Sequence, residues 1–178
     1  MKIFILLHLK TSKSGVTNLH TAPIVATKIL FSVAVFLLPF FSDGQVNLVP
    51  NPSFEDTIAC PDATDQMNRC ADWWSAGMPN CSSPDYFHGC STVNTISPPE
   101  VAWGDQIPVT GNAYSFVINY FIFPNPCDGR EYIQTQLTNT LVIGQKYYIS
   151  FYVNLGGRGG VSIASNKLGA LFTTYAFT

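Results

Sequence analysis

The sequence predicts an all-β protein built as an antiparallel β-sandwich, and three observations support this prediction. The segments after residue 111 are rich in β-branched and aromatic residues, turns of glycine, proline and asparagine separate them, and capped helical spacing is missing after residue 44. Short strands at such spacing, with no helices between them, are typical of a sandwich. The 178 residues leave room for one such domain and a leader.

An apolar run at 29–41, ILFSVAVFLLPFF, predicts a secretory signal peptide ahead of this domain. The run follows Lys28 and precedes small residues at the −3 and −1 positions of a cut before Gln45. A retained membrane anchor is the alternative, but a spanning helix needs about 20 apolar residues. We therefore expect residues 1–44 to be a leader and residues 45–178 to be one exported domain, secreted or on the outer cell surface, with the periplasm as the alternative.

The charge distribution divides at the same point. Four of the nine basic residues but only one of the eleven acidic residues precede residue 45, so the leader carries +3 and the remainder −5. An acidic domain lacks the basic surface that contacts with a phosphate backbone require. We therefore expect no nucleic-acid partner. No apolar run after residue 44 reaches spanning length, so we also expect no membrane span in the mature chain.

The predicted elements follow in order along the exported part. A short strand at 46–49 ends at Pro50 and Pro52, because proline cannot lie inside a central strand. Residues 60–108 show no sustained periodicity and are rich in proline, glycine, cysteine and short polar residues, which predicts a loop region. Further strands are predicted at 113–123, 131–137, 146–155, 161–164 and 168–177.

Alternation along these strands assigns their faces. The strand at 113–123 is apolar on both faces, which predicts that it is covered on both sides. In the strand at 146–155, alternate residues from Tyr147 to Leu155 are apolar and are assigned to the core. If this strand pairs with 131–137, the polar faces of the two form one surface. The candidate ligand-binding residues of that surface are Arg130, Tyr132, Gln134, Tyr148, Tyr152 and Asn154.

All five cysteines lie in the exported part, where an oxidising compartment lets disulfides persist. Four of them fall within 60–90, with no Cys-x-x-Cys pair and with His88 as the one histidine nearby, which favours disulfides over a zinc site. Spacing does not determine connectivity. We expect Cys60–Cys90 to enclose Cys70–Cys81, with Cys127 as the odd thiol.

The sequence offers little for catalysis. His88 is the one histidine after residue 44, and no serine lies in a Gly-x-Ser-x-Gly elbow. The glycine cluster at 156–160 is typical of a hairpin loop, because it lacks the strand, helix and lysine of a phosphate-binding loop. Most acidic residues lie in turn-rich segments, where we expect them to be solvated. We therefore predict that the protein is not an enzyme.

Aromatic residues indicate carbohydrate binding instead. Pyranose rings stack their C–H faces on flat aromatic side chains, and their hydroxyl groups need polar partners. The candidate stacking residues in the cysteine-rich region are Trp73, Trp74, Tyr86 and Trp103. The alternative for each ring is a place in the core.

Three motifs resemble a known family. NLVPNPSFE at 47–55, the tryptophan pair at 73–74, and REYIQTQL with LVIGQKYYISFYVNL across 130–155 are similar to galactose-binding-like jelly-roll modules, above all carbohydrate-binding families four and nine. The stretch at 60–90, with CPDATDQ, DWW and SPDYFHGC, resembles the exported jelly-roll domains at the front of Bacteroidetes surface proteins.

The resemblance covers residues 46–178 and implies a jelly-roll fold that binds glycans without catalysis. It implies no cofactor apart from a structural calcium ion, to which Glu55 would contribute. The later strands of the family are missing, so we expect the chain to be a fragment with incomplete C-terminal strands.

Two functions remain open at this point. The first is a cell-surface or secreted bacterial module that binds a glycan or cell-surface polysaccharide. The second is an adhesive or structural β-sandwich domain that contacts a surface-protein partner through its exposed edge without binding sugar.

Overall fold

The computed structural model describes residues 2–4, 6–12, 46–77, 81–119, 129–157 and 168–177. Within these ranges the protein is all-β, as predicted, and its single helical element is a 3₁₀ turn at Met67–Arg69. All strand pairs are antiparallel. The strands are β1 (Lys2–Phe4), β2 (Leu6–Ser12), β3 (Trp73–Ala76), β4 (Asp85–His88), β5 (Glu100–Val101), β6 (Gly104–Asp105), β7 (Ala113–Ile118), β8 (Tyr132–Thr135) and β9 (Lys146–Tyr152).

Strand β7 is the centre of the largest sheet, whose order is β1-β7-β4. Its register with β4 places Phe87 opposite Tyr114 and Asp85 opposite Phe116. The other strands form three two-stranded pairs, β2-β9, β3-β8 and β5-β6.

The β4–β7 pair is buried on both faces. Successive side chains of a strand point to opposite faces, so Tyr86 and Ala113 lie on one side and Phe87 and Tyr114 on the other. For the described part of 113–123, the prediction of a strand covered on both sides is confirmed. The first core cluster comprises Leu48, Val49, Phe54, Met67, Cys70, Trp73, Tyr86 and Ala113. The second core cluster comprises Phe87, Ile96, Val101, Tyr114 and Phe116.

The region 60–108, which the sequence predicts to be loop, also holds the four strands β3–β6. Each has two to four residues, too few for an alternating pattern to stand out in the sequence. The same region supplies Ile96 and Val101 to the second core cluster. The part of this region that follows β4 therefore covers one face of β4 and β7.

Strands β8 and β9 are not partners, contrary to the expectation that 131–137 pairs with 146–155. Strand β8 pairs with β3, where Trp74 lies opposite Gln134. Strand β9 pairs with β2 over seven residues, from Leu6 opposite Tyr152 to Ser12 opposite Lys146. Alternation shows which side chains share a face but does not choose the neighbouring strand. The polar faces of β8 and β9 therefore do not form one paired surface.

Two other predicted strands differ in the structure. Residues 46–49 form no strand, but Leu48 and Val49 are buried, and the Leu48 carbonyl accepts the N–H of Thr138 at 2.9 Å. Residues 168–177 also form no strand. The segment 161–164 lies outside the described residues.

Part of the predicted leader contributes strands. Strand β1 pairs with β7, with Lys2 opposite Ile118, and β2 covers one edge of β9. The apolar run 29–41 lies outside the described residues. In the described ranges no helix has the length and apolarity to cross a membrane.

Asn51 joins three segments of the chain through its buried side chain. Its Nδ2 donates to the carbonyl groups of Asp56 and Ala71 at 2.9 and 2.8 Å, and its Oδ1 accepts the N–H of Asp56 at 3.0 Å. Its own carbonyl accepts the indole N–H of Trp73 at 2.9 Å. Its φ of 40° is in the left-handed region, which asparagine tolerates better than most residues. The turn at 51–54 is therefore tied directly to β3.

Phe54 secures the other end of this turn. Its ring lies 4.9 Å from that of Trp73, and its carbonyl accepts the hydroxyl of Tyr86 at 2.7 Å. A φ of 63° is unfavourable for a bulky residue and persists only where the surroundings hold it. Here the ring contact and the buried hydrogen bond hold it.

The cysteines confirm one predicted pair and correct the other. Cys60 and Cys90 form a disulfide, as predicted. The predicted Cys70–Cys81 pair is wrong, because Cys70 is a buried free thiol whereas Cys81 is disulfide-bonded. The Cys70 sulfur lies in the first core cluster, and burial raises its pKa to about 12. The hydrogen bond that the sulfur accepts from Nδ2 of Asn51 at 3.3 Å acts in the opposite direction. Cys127, the predicted odd thiol, lies outside the described residues.

Replacement of Asn51 by alanine tests its role. Asn51→Ala removes the acceptor of the Asp56 N–H and the amide donor of the Ala71 carbonyl, whereas the Asp56 carbonyl keeps the N–H of Ala71. We therefore expect a loss of about 3 kcal/mol in the free energy of unfolding. Urea denaturation followed by circular dichroism measures it. The matched control is Asn139→Ala at an exposed position, which should change the value by less than about 0.5 kcal/mol. Equal effects of the two substitutions would contradict this role.

Thiol mapping tests the cysteine assignment. In the folded protein we expect Cys70 to resist iodoacetamide, because its thiol is buried and its thiolate is disfavoured, and to react once the chain is unfolded without reductant. Peptide mass mapping without reduction should show Cys60 linked to Cys90. A Cys70–Cys81 cross-linked peptide would overturn the assignment.

Candidate functional site

Two of the predicted stacking residues belong to the core. Trp73 is buried, packs on Phe54 and donates its indole N–H to Asn51. Tyr86 is fully buried, with its hydroxyl on the carbonyl of Phe54. Neither ring is accessible to a ligand in this structure, so the core alternative holds for both.

Three other predicted residues share the outer face of the β3–β8 pair. Trp74 and Tyr132 are partly exposed on this face, and Gln134 lies opposite Trp74. The Gln134 amide is engaged by the chain itself, because its Nε2 donates to the carbonyl of Phe177 at 2.6 Å and its Oε1 accepts the N–H of Phe177 at 2.9 Å. Arg130 is exposed just before β8. This face therefore presents two rings, and its central amide holds the segment 168–177.

A groove of about 360 Å³ lies between segment 106–110 and the end of β9. Its other lining residues come from 53–54 and from the start of β7. The volume is within the lower range of small-molecule sites, about 300–1,000 Å³. Of the predicted ligand residues, Tyr152 and Asn154 line this groove, and we name it the 106/152 groove.

The 106/152 groove combines an exposed ring with two amides. Tyr152 is 58 % exposed. Nδ2 of Asn154 donates to Oε1 of Gln106, and Nε2 of Gln106 donates to the carbonyl of Ile107 at 2.5 Å. Because each amide nitrogen carries two hydrogens, both residues retain a donor for a ligand. The groove therefore offers a stacking ring beside hydrogen-bond donors.

The walls of the groove are apolar and neutral. Ile107 and Val109 are exposed on one wall, and Val153 lies on the other. None of the described residues that line the groove is charged. This lining suits an uncharged ligand, since a buried ion would find no counter-charge here.

Sequence reasoning missed Gln106 and its loop as part of the site. The signal was present, because Ile107 is an apolar residue in a segment predicted to be loop. The sequence could not show that this loop lies beside the end of β9. Tyr148, on the same strand as Tyr152, is 57 % exposed but lies outside the groove.

Trp103 is half-buried and packs in the core instead of forming an open platform. Its ring stacks on Phe116 with centroids 6.0 Å apart and planes inclined by 19°. Its indole N–H donates to Oδ2 of Asp85 at 2.5 Å. Trp103 therefore attaches the β5–β6 hairpin to strand β4.

Asp85 is a buried carboxyl group, contrary to the expectation of solvated acids. Its Oδ1 accepts the N–H of Asp65 at 2.6 Å, and its Oδ2 accepts Trp103. Burial raises the pKa of Asp85 to about 7, although the two N–H donors oppose this, and repulsion from Glu131 and Asp65 adds to it. Burial likewise raises the pKa of Glu131.

Glu55 anchors the start of β7 in this structure. Its Oε1 accepts the N–H groups of Asn112 and Ala113 at 2.8 and 2.9 Å, and its Oε2 lies 3.9 Å from Nε2 of His88. A Cβ at Gly111 would lie 2.3 Å from Oε1, and the φ of Gly111 is 64°, so this close approach requires glycine.

Calcium prefers six to eight oxygen ligands. The described residues contain no cluster of three or more histidine, cysteine or acidic side chains that could hold a metal, and Oε1 of Glu55 is occupied by two backbone N–H groups. Calcium binding at Glu55 stays a prediction from the resemblance.

No protein-family model, no curated protein and no solved structure matches the chain. The features that point to a function are therefore the geometry of the 106/152 groove and the sequence.

Replacement of Asp85 by asparagine tests its buried state. Below about pH 3.8 Asp85 is protonated in both the folded and the unfolded chain. Between pH 3.8 and 7 only the folded chain retains the proton, so the contribution of Asp85 to the free energy of unfolding is lost as the pH rises to about 7. The loss is about 4 kcal/mol, because the pKa of Asp85 is raised from 3.8 to about 7. Urea denaturation from pH 4 to 8 should show the free energy of unfolding of the wild type falling by about that amount relative to that of Asp85→Asn.

The matched control for this prediction is Asp62→Asn at an exposed loop position. Its stability should follow that of the wild type across the same pH range. Parallel profiles for Asp85→Asn and the wild type would show that Asp85 ionises normally.

Proposed function

We propose that this chain is an exported, non-catalytic carbohydrate-binding module of the jelly-roll β-sandwich type, from a secreted or cell-surface bacterial protein. The observation that carries the proposal is the 106/152 groove, in which the exposed ring of Tyr152 lies beside the amides of Asn154 and Gln106. A pyranose stacks one C–H face on such a ring and donates or accepts hydrogen bonds through its hydroxyl groups.

The neutral lining supports an uncharged glycan as the ligand. The apolar side chains of Ile107, Val109 and Val153 can contact C–H groups of the sugar, while the two amides and the hydroxyl groups of Ser53 and Thr110 can meet its hydroxyl groups. An acidic sugar would find no cation among the described lining residues.

The same lining supports a non-catalytic role. Glycoside hydrolysis uses two carboxyl groups that flank the scissile bond. The buried carboxyl groups of Asp85 and Glu131 do not line the groove, and Asp85 is engaged by Trp103 and Asp65. Among the described lining residues there is no carboxyl group or imidazole to transfer protons to or from a sugar.

Export is supported by the sequence and by one structural feature. The apolar run at 29–41 and the small residues before Gln45 are typical of a signal peptide. The Cys60–Cys90 disulfide is the kind of bond that persists in an oxidising compartment. Together they support a location outside the cytoplasm.

Affinity electrophoresis of the full chain through gels containing soluble β-glucan, galactan or mannan tests the proposal. We expect at least one polysaccharide to retard the wild type and Tyr152→Ala to bind about tenfold more weakly, because the stacking ring is lost. Tyr148→Ala is the matched control, since it removes an equally exposed tyrosine of the same strand outside the groove. Equal losses in the two variants would move the site elsewhere, and no retardation of the wild type would remove the function.

A second function, contact with a surface protein, is favoured by apolar side chains that stay exposed. Ile143 is fully exposed, and Val142, Leu171 and Tyr175 are mostly exposed. Exposed apolar side chains of this size are available for contact with a protein partner. Wild-type protein that binds none of the three polysaccharides would favour this second function.

A further inference from the structure

Two strands of the structure come from the predicted leader. Strand β1 is antiparallel to β7, with Phe4 opposite Phe116, and β2 is antiparallel to β9, with Leu6 opposite Tyr152. A single residue separates β1 from β2 in the chain. One stretch of the leader, residues 2–12, therefore pairs with two different sheets in succession.

The two edges that this stretch occupies adjoin one another. They comprise residues 116–118 of β7 and 146–152 of β9, and we name them the β7/β9 edge. Among the described residues, β4 pairs with the other edge of β7, and β2 is the strand that pairs with β9. The backbone N–H and C=O groups of an uncovered edge are a template for pairing with another chain. Loss of residues 2–12 therefore leaves both parts of the β7/β9 edge open.

The composition of the β7/β9 edge is that of a covered edge. Lys146, at one end, is the single charged residue among the ten that pair with β1 and β2. Edges that stay open in natural proteins commonly carry charged residues or proline, which discourage pairing with other chains. Tyr148 and Ile149 point to opposite faces of β9, and both are exposed, so each face has apolar surface for the side chains of an added strand.

The occupant of the β7/β9 edge in the uncut chain indicates which kind of strand the edge accepts. Residues 3–9, IFILLHL, are apolar apart from His8. When a strand is added to a sheet edge, main-chain hydrogen bonds supply the affinity and alternate side chains supply the specificity. A partner that matches this occupant is an extended segment of similar length with an apolar centre, antiparallel to β7 and β9.

The same stretch precedes the predicted signal-peptide cut. A cut before Gln45 removes residues 1–44, and with them β1 and β2. Removal of the leader and exposure of the β7/β9 edge are therefore one event.

We propose that the β7/β9 edge is an acceptor site for one extended apolar strand: residues 2–12 fill it in the uncut chain, and a strand of a surface-protein partner fills it once the leader is removed. The acceptor site is independent of the proposed glycan binding, whereas the exchange of occupants rests on the proposed export.

A full chain that is folded first and cut afterwards tests the acceptor site. A specific protease site inserted after Gly15 allows this cut. In fluorescence polarisation we expect a fluorescein-labelled peptide of residues 1–12 to bind the cut chain, because it exchanges with the released segment. The peptide should bind the uncut chain about a hundredfold more weakly, because there the tethered segment competes at a high effective concentration.

The matched control is the same peptide with Leu7→Pro and His8→Pro. The N–H groups of successive residues in a strand point to opposite edges, so the two prolines remove one N–H that faces β9. We expect the control peptide to bind the cut chain about tenfold more weakly than the native peptide. Equal binding of the two peptides, or no binding of either, would overturn the acceptor site.

Hydrogen–deuterium exchange locates the bound peptide. When the native peptide binds the cut chain, the amides of 146–152 should exchange about tenfold more slowly. The amides of β3, which pairs with β8 in another sheet, should exchange at an unchanged rate. Unchanged exchange at 146–152 in the bound complex would contradict the assignment of the site to this edge.

Gel filtration of the cut chain distinguishes a partner strand from a second copy. A monomer that takes up the peptide supports a partner strand, whereas a dimer that excludes the peptide would overturn that occupant. N-terminal sequencing of the chain recovered from the periplasm of an expressing bacterium tests the exchange. A chain that begins at Gln45 supports it, and a chain that keeps residues 2–12 would overturn it. Retardation by polysaccharide is measured separately, so failure of the acceptor site leaves the proposed glycan binding intact.

Discussion

The buried side chain of Asn51 is the interaction on which the described arrangement depends most. One amide group satisfies the backbone of Asp56 and Ala71, and the Asn51 carbonyl accepts Trp73, so a turn near the start of the domain is joined to β3. Phe54 extends this junction to β4 through the Tyr86 hydroxyl. A buried amide without partners is costly, and the N–H of Asp56 would lose its acceptor without the Asn51 side chain. The motif NPSFE at 51–55 therefore acts as a structural junction.

Strand β7 is likewise held in place by contacts with several separate segments of the chain. Glu55 holds its first amides, and the two core clusters cover its two faces. The second cover is the segment 93–103, which includes β5, and its Trp103 donates a hydrogen bond to the buried carboxyl group of Asp85. Burial of the Asp85 carboxyl group lowers the free energy of unfolding near neutral pH.

Much of the fold could be predicted from local pattern. The all-β class and the double burial of β7 follow from β-branched and aromatic runs, and the Cys60–Cys90 bond agrees with its prediction. The local sequence pattern did not predict which distant residues or strands pair with each other. Nothing in the sequence distinguishes Cys70 from Cys81 as a disulfide partner, but Cys70 is buried in the core beside Asn51. Likewise β8 pairs with β3, because alternation does not identify a partner.

For the candidate site, the sequence by itself determined the inventory: aromatic side chains, neutral amides and a shortage of catalytic groups. Only the tertiary structure decided which of them meet. In the folded chain Trp73 and Tyr86 are buried, and Gln134 is hydrogen-bonded to Phe177. Gln106, from a loop, lies beside Asn154 near the end of β9. The physical reason is that exposure and adjacency depend on how separate segments pack, whereas composition and alternation are properties of one segment at a time.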